Sequence, residues 1–426
     1  MKKHRRILLG ILLLVVLLAA VVMAIPALRA RALFHAELLW IKLDYFLHPP
    51  EKNLFTPATL TPGSMTATPP SSTPTPTVTP TPEPVLPTPT MTPTPLPEQV
   101  MLEGVIYQTQ KGFINNCAPS NLFMALTYWG WRGDVNEVST YLKPLNEDKN
   151  VMPYEMANYV EEKTEFETII RYGGTIDLLK KLVAGGYPVL IEKGTYARDT
   201  TGRISWMGHY ALVTGYDDAE QVFITQDSLL TEDYKVSYDL ITTEWRGFDY
   251  VFIVIYPEDR ADDVINILGV YSDEVASYQI AAETASIEAV SLTGNDQFHA
   301  WFNRGTSLQL LQDYYGSAAA YDQAFQLLPL LKQDSLPWRI VWYQTGPYFS
   351  YYYTGRYQDL IDLATTTINV ANRPSLEESF YWRALGYAAL GDMVSAKKDF
   401  CASLRYHKDF PPTLDQMQNL GITECQ

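Results

Sequence analysis

Between Thr56 and Pro97 the chain is a run of Thr-Pro pairs, as in TPTPTVTPTPEP, and no other segment restricts its folding so severely. Proline has no amide hydrogen and fixes φ, so such a tract builds neither a helix nor a central strand. Its side chains cannot bury a core, which leaves it extended and solvated. At about 3.1 Å per residue in polyproline II geometry it spans on the order of 130 Å. We therefore expect a disordered spacer over residues 51–99 that lifts a globular part away from what precedes it. Two folded units are the expectation from the total length of 426 residues.

The segment before the tract predicts a membrane anchor. A basic tail at 1–6 (MKKHRR) is followed by an uncharged apolar run from Ile7 to Leu28, broken only by Gly10 and Pro26. A transmembrane helix takes about 20 residues, whereas a signal peptide's apolar core is about 7–15 long. Residues 7–28 thus read as a retained signal anchor, with a cleaved signal peptide as the rival. The basic tail against Arg29 and Arg31 sets the N-terminus inside and the remainder outside the cytoplasm at the cell membrane. Residues 29–50 read as an amphipathic juxtamembrane helix, with Arg31, Glu37, Lys42 and Asp44 among apolar positions at helical spacing. Pro49-Pro50 ends it.

Beyond the tract, residues 100–258 alternate helix and strand signals. Pro119–Trp129, Pro153–Thr164 and Thr175–Val183 have helical periodicity. Tyr187–Ile191, Tyr210–Tyr216, Gln221–Thr225 and Phe248–Tyr256 are apolar and β-branched enough for strands. Helices first and an antiparallel sheet afterwards imply an α+β domain. From 259 to 426 strand signals vanish. Trp301, Gly305, Tyr321, Ala324 and Pro329 form one helical repeat, Gly355, Tyr357 and Leu360 begin a degenerate second, and Trp382, Gly391, Ala396 and Phe400 mark a third. A plain helical bundle is the alternative. The net charge of −16 argues against nucleic acid as partner, since that needs a basic footprint.

The chemistry concentrates around Cys117. It immediately precedes a helix, whose unpaired amides and dipole favour a thiolate. Cys401 and Cys425 lie in the helical region and could pair, which leaves Cys117 a lone thiol outside the cytoplasm. Of six histidines, only His209 falls between residues 100 and 257. A hairpin turning about Asp217-Asp218-Ala219 sets His209 opposite Asp227, about 5 Å away on one face. Asp227 would then orient the imidazole as the third member of a triad. The Cys117 amide is one oxyanion donor, and Gln110 or Gln108 just upstream supplies a second. One histidine and one cysteine leave too few ligands for zinc in this domain, and no nucleotide-binding glycine motif occurs. Neither a metal nor a cofactor is expected.

These residues resemble the papain-like C39 peptidase family in its stand-alone branch. There a Gln precedes an Asn-Cys-Gly-Pro-Ala/Ser segment, and His and Asp or Asn follow on neighbouring strands. Gln110, Cys117, Pro119, Ser120, His209 and Asp227 match, and Gly186-Tyr187-Pro188-Val189 is similar to the family's Gly-x-Pro-Val strand. Two departures stand out. Ala118 replaces the glycine after the cysteine, which could crowd the oxyanion site, and Gln110 is one residue farther from Cys117 than usual. The resemblance implies a papain-like fold and peptide-bond hydrolysis, and the helical remainder resembles tetratricopeptide repeats that would bind a substrate or protein partner. The expected protein is a membrane-anchored extracytoplasmic cysteine peptidase. The alternative is an inactive papain-like binding or scaffold protein.

Overall fold

The computed structural model describes residues 21–47, 54–58, 95–145, 148–198, 204–332, 335–371 and 373–425. Most of the expected membrane anchor, and residues 59–94 of the Thr-Pro tract, lie outside them. Among the described residues no helix is long and apolar enough to cross a membrane. The segment expected to form a juxtamembrane helix is helical, as α1 (Pro26–Leu47). Its exposure is two-sided. Phe34, Leu38 and Ile41, spaced i, i+4, i+7, line a cleft, while Leu39, Leu43, Phe46 and Leu47 are exposed.

The α+β domain is built around α2 (Cys117–Tyr128), in which every residue from Ala118 to Thr127 is buried. Its polar Ser120, Asn121 and Thr127 all have hydrogen-bond partners, as burial inside a fold requires. α3 (Val135–Leu142) and α4 (Pro153–Lys163) pack beside it. The strands are β1 (Gln99–Met101), β2 (Phe166–Arg171), β3 (Val189–Arg198), β4 (Ile204–Asp217), β5 (Val222–Gln226), β6 (Tyr234–Ser237) and β7 (Phe252–Pro257). They form one sheet in the order β2-β7-β3-β4-β5-β6, with β1 on β4. All pairings are antiparallel.

Both faces of this sheet are covered, and the period-2 alternation of strands sorts the residues between them. Leu190, Tyr210, Leu212, Ile253 and Ile255 pack with α2 and its neighbours. Val189, Ile191, Ala211, Val213, Phe252 and Val254 pack on the other side. That side is closed by α5 (Ile176–Ala184), α6 (Tyr238–Arg246) and α7 (Ala261–Leu268). The expected strand over Phe248–Tyr256 is corrected. Only Phe252–Pro257 is strand, because Asp249 and Tyr250 take left-handed φ values of 52° and 53° and turn the chain into it.

The remainder is helical: α8 (Glu274–Ser291), α9 (Gly294–Leu310), α10 (Tyr314–Leu327), α11 (Ile340–Tyr343), α12 (Gly346–Tyr353), α13 (Tyr357–Asn369), α14 (Glu377–Ala389), α15 (Met393–Tyr406) and α16 (Pro411–Asn419). Gly305 allows α9 to approach α10, since a Cβ there would stand 2.7 Å from the Tyr321 ring. Cys401 and Cys425 are joined as a disulfide, fastening the segment after α16 back onto α15.

The helical array is packed against the α+β body. Trp206 stacks on Phe248 at 5.7 Å and on His299 at 5.5 Å. Asn303 Nδ2 donates to the Arg246 carbonyl (2.7 Å), Gln344 Nε2 donates to the Gly247 carbonyl (2.7 Å), and Arg246 pairs with Glu288 (3.0 Å). The start of the Thr-Pro tract is docked too. Phe55 is buried edge-on against Phe325 (5.1 Å), and the Ala58 amide donates to Asp359 Oδ1 (2.9 Å). At its other end the Pro97 carbonyl accepts from the Tyr216 hydroxyl (2.8 Å). Residues 54–58 and 95–97 therefore belong to the folded body, which corrects the expectation of a free spacer running from 51 to 99.

Candidate active site

α2 begins at Cys117 itself, two residues before Pro119. The first turn of a helix has amides with no intrahelical partner, so Pro119 costs nothing there and the Cys117 amide is left without one. Ala118 does not crowd this site. Its methyl is 1% exposed and lies in the core with Leu122 and Leu126.

His209 lies in mid-strand rather than at a strand start, because β4 begins at Ile204. Its imidazole Nε2 is 2.7 Å from Asp227 Oδ1, and the residue lines the same cleft as Cys117. With Nε2 committed to Asp227, Nδ1 is the nitrogen left for sulfur. The expected register is corrected, however. β4 pairs with β5 as Leu212↔Gln226 and Val213↔Thr225, with a bulge before Gly215↔Ile224. Asp227 thus follows the last strand residue and sits diagonally to His209, on the same face and still within reach. The turn correspondingly lies at 218–221, where Asp217 Oδ1 accepts from the amides of Ala219 and Glu220.

The electrostatics follow from these contacts. Burial would push the Cys117 thiol up, but the hydrogen bond and charge of His209, the Tyr210 backbone and Lys143 outweigh it and hold the thiol below its ordinary range. Burial works against the His209 cation, yet Asp227 and Cys117 raise its pKa to about 9. Asp227 is held well below the usual carboxylate range, since the His209 cation and Lys193 overcome its burial. These shifts all favour a thiolate–imidazolium pair with an ionised carboxylate behind it, beside the cleft.

Of the two upstream glutamines, the structure brings Gln110 to the site. Gln110 lines the cleft with Cys117 and His209. Its Oε1 accepts from the Ser228 hydroxyl (2.8 Å), which leaves Nε2 as its donor end. Gln108 instead turns its Nε2 onto the Thr109 carbonyl (2.8 Å). The segment carrying Gln110 is fixed by the bond from its own amide to the Ser228 carbonyl (2.9 Å) and by that from the Tyr107 hydroxyl to the Asp227 carbonyl (3.1 Å).

Three supporting residues escaped the sequence reading. Asn121, fully buried, places Nδ2 2.9 Å from the carbonyls of Cys117 and Tyr210 and 2.9 Å from the Ser228 hydroxyl. It ties the start of α2 to β4 and to the loop after β5, and its i+4 spacing from Cys117 was the available signal. Ser228 links it to Gln110. Lys193 pairs with His209 across the strands and stands 3.6 Å from Asp227 Oδ2, held by Glu244 at 2.8 Å.

The cleft encloses about 440 Å³. One wall is Gln110, Phe113 and Met207, another is Trp342 and Tyr343 from the helical array, and Phe34, Leu38 and Ile41 of α1 lie across it. Of the aromatic residues beside the motifs, Trp206 and Trp245 are core.

Comparison with known proteins bears on this part of the chain. Residues 102–252 match the profile of the Peptidase_C39 like family. A solved C39-like peptidase from Bacillus anthracis is 18% identical, with 38% of this chain and 98% of that one covered and a TM-score of 0.31. No curated protein matches the chain.

Proposed function

We propose that this protein is a cysteine peptidase that hydrolyses peptide bonds at Cys117, tethered at the outer face of a membrane through its N-terminal segment. The juxtaposition of Cys117 and His209 on one cleft, with the imidazole bonded to Asp227 behind it, carries this reading. The Cys117 thiolate attacks the substrate carbonyl carbon, and the π electrons move to oxygen. The Cys117 amide and Gln110 Nε2 receive that oxyanion. His209, protonated at Nδ1, gives its proton to the departing amine, leaving a thioester. It then takes a proton from water, which attacks the thioester and restores the thiolate. Asp227 accepts from Nε2 throughout, fixing the ring and favouring its cation. Lys193 and Asn121 are positioning residues.

The tetratricopeptide-like array would take a substrate or partner protein, and its contribution of Trp342 and Tyr343 to the cleft supports a share in substrate binding. The exposed Leu39, Leu43, Phe46 and Leu47 on α1 support contact with lipid. A second reading, an inactive papain-like binding protein, is favoured by α1 lying over the cleft. Iodoacetamide labelling of Cys117, read by mass spectrometry from pH 4 to 10 with His209→Ala as control, separates the two. Fast labelling below pH 7 that slows in the control supports the enzyme. Labelling that rises only above about pH 8, as for an unperturbed thiol, sinks it.

A further inference from the structure

A second cluster of ionisable groups lies where the α+β body meets the helical array, and the cysteine chemistry makes no use of it. Asp148 comes from the loop between α3 and α4, Glu377 opens α14, and His407 follows α15. One ligand atom from each falls within 4.8 Å of the others. Asp148 and Glu377 are 2% and 1% exposed. Two more carboxyls crowd the same place. They are Glu155 of α4, whose Oε2 accepts from the Met152 amide (2.7 Å), and Glu378, the neighbour of Glu377 on α14. The cations facing them are Lys143, whose Nζ donates to the Ile114 carbonyl (2.5 Å), and His407, whose Nδ1 is 3.2 Å from Glu377 Oε1.

The independent observation is Glu377 Oε2. It is buried and has no hydrogen-bond partner. An orphaned buried carboxylate oxygen among like charges is costly unless something positive occupies the space beside it. We propose that Asp148, Glu377 and His407 bind a divalent transition-metal ion, Zn²⁺ or Mn²⁺, which clamps the α+β body to the helical array. Two carboxylates and an imidazole form a borderline donor set that suits these ions. Ca²⁺, which prefers six to eight oxygens, suits it poorly. Ligand atoms around such an ion stand roughly 3–4 Å apart, as bond lengths of about 2.0–2.2 Å require. The side chains close in by about an ångström to make the shell.

The clamp also reaches the loop before the nucleophile. The Asp148 carbonyl accepts from Asn115 Nδ2 (2.7 Å), and Asn115 holds a left-handed φ of 50° two residues before Cys117. The site stands whether or not Cys117 cleaves peptides.

The test uses the full-length chain in detergent, stripped with EDTA and titrated by calorimetry and thermal melting with Zn²⁺, Mn²⁺ and Ca²⁺. The expected result is uptake of one Zn²⁺ or Mn²⁺ per chain with a rise in Tm of several degrees. Glu377→Gln and His407→Ala, checked for an unchanged circular dichroism spectrum, lose both effects. X-ray absorption of the Zn²⁺-loaded wild type makes the test independent of the variants folding. A shell of one imidazole nitrogen and carboxylate oxygens is expected. A sulfur in the shell would place the ion at Cys117 and overturn the proposal. So would no uptake, a response to Ca²⁺ alone, or undiminished binding in folded Glu377→Gln. An acid cluster stabilised by shared protons instead of a metal would give the no-uptake result.

Discussion

The pairing of Cys117 with His209 sets the pH range in which the site works. The thiol lies below its ordinary value and His209 is raised to about 9, so the ion pair exists between them. Activity is expected on a bell whose alkaline limb falls near pH 9 as imidazolium is lost, with both limbs belonging to the coupled pair. The same shift affects folding. A histidine raised in the folded state stabilises it fully below its ordinary value near 6.5, and that contribution disappears as pH rises through about 9. A flat rate between pH 8 and 10 would count against this. Gln110→Ala is expected to lower kcat by about 10²–10³-fold, the usual loss for one oxyanion donor, and Gln108→Ala to change it little. Equal effects would return the donor role to doubt. The meeting of Cys117 and His209 at one cleft was legible from chain position and elimination. Lys193 was not, because a lysine in a strand reads as solvent-facing until its strand is known to pair with that of His209.

Elements were legible where periodicity is long and misread where a strand's end depends on its neighbours. The helix after Cys117 was visible from its apolar face. β4 was not visible over Ile204–Gly208, since Ser205 and Gly208 interrupt the apolar run and only pairing with β3 makes it strand. The β4–β5 register is offset from expectation because the turn lies at 218–221 and not at 217–219, and the bulge at Thr214, which no local signal marks, then shifts it back by one residue. Gly208 also has a structural duty, because a Cβ there would meet the rings of Phe248 and Tyr343 at 2.8 Å. Gly208→Ala should cost about 1–3 kcal/mol through overpacking and displace Tyr343 from the cleft, read as a lower Tm with raised KM. An unchanged KM would show the wall is indifferent to that contact. The disulfide closes a span of 24 residues. Cys425→Ser should lower stability by about 3 kcal/mol on loop-closure grounds, measured as a drop in Tm matched by reducing the wild type.

At the scale of the whole molecule, α1 and residues 54–58 lie on the body that the Thr-Pro tract was expected to hold at a distance. Composition showed that the tract cannot fold by itself, but it could not show that Phe55 has a pocket between Phe325 and Tyr351. A chain beginning at residue 95 should therefore label at Cys117 several-fold faster than the full chain, since Phe34, Leu38 and Ile41 no longer line the cleft. Equal labelling rates would show that α1 leaves the thiol open. The two pinned ends of the tract, Ala58 on Asp359 and Pro97 on Tyr216, have a further consequence. They make residues 59–94 the covalent link between the covering helix and the body it covers. While that link is whole, α1 meets the cleft at an effective concentration on the order of millimolar. One cut by a protease within 59–94 turns the encounter bimolecular. α1 and residues 54–58 can then diffuse away, and the body is freed irreversibly from its own N-terminus.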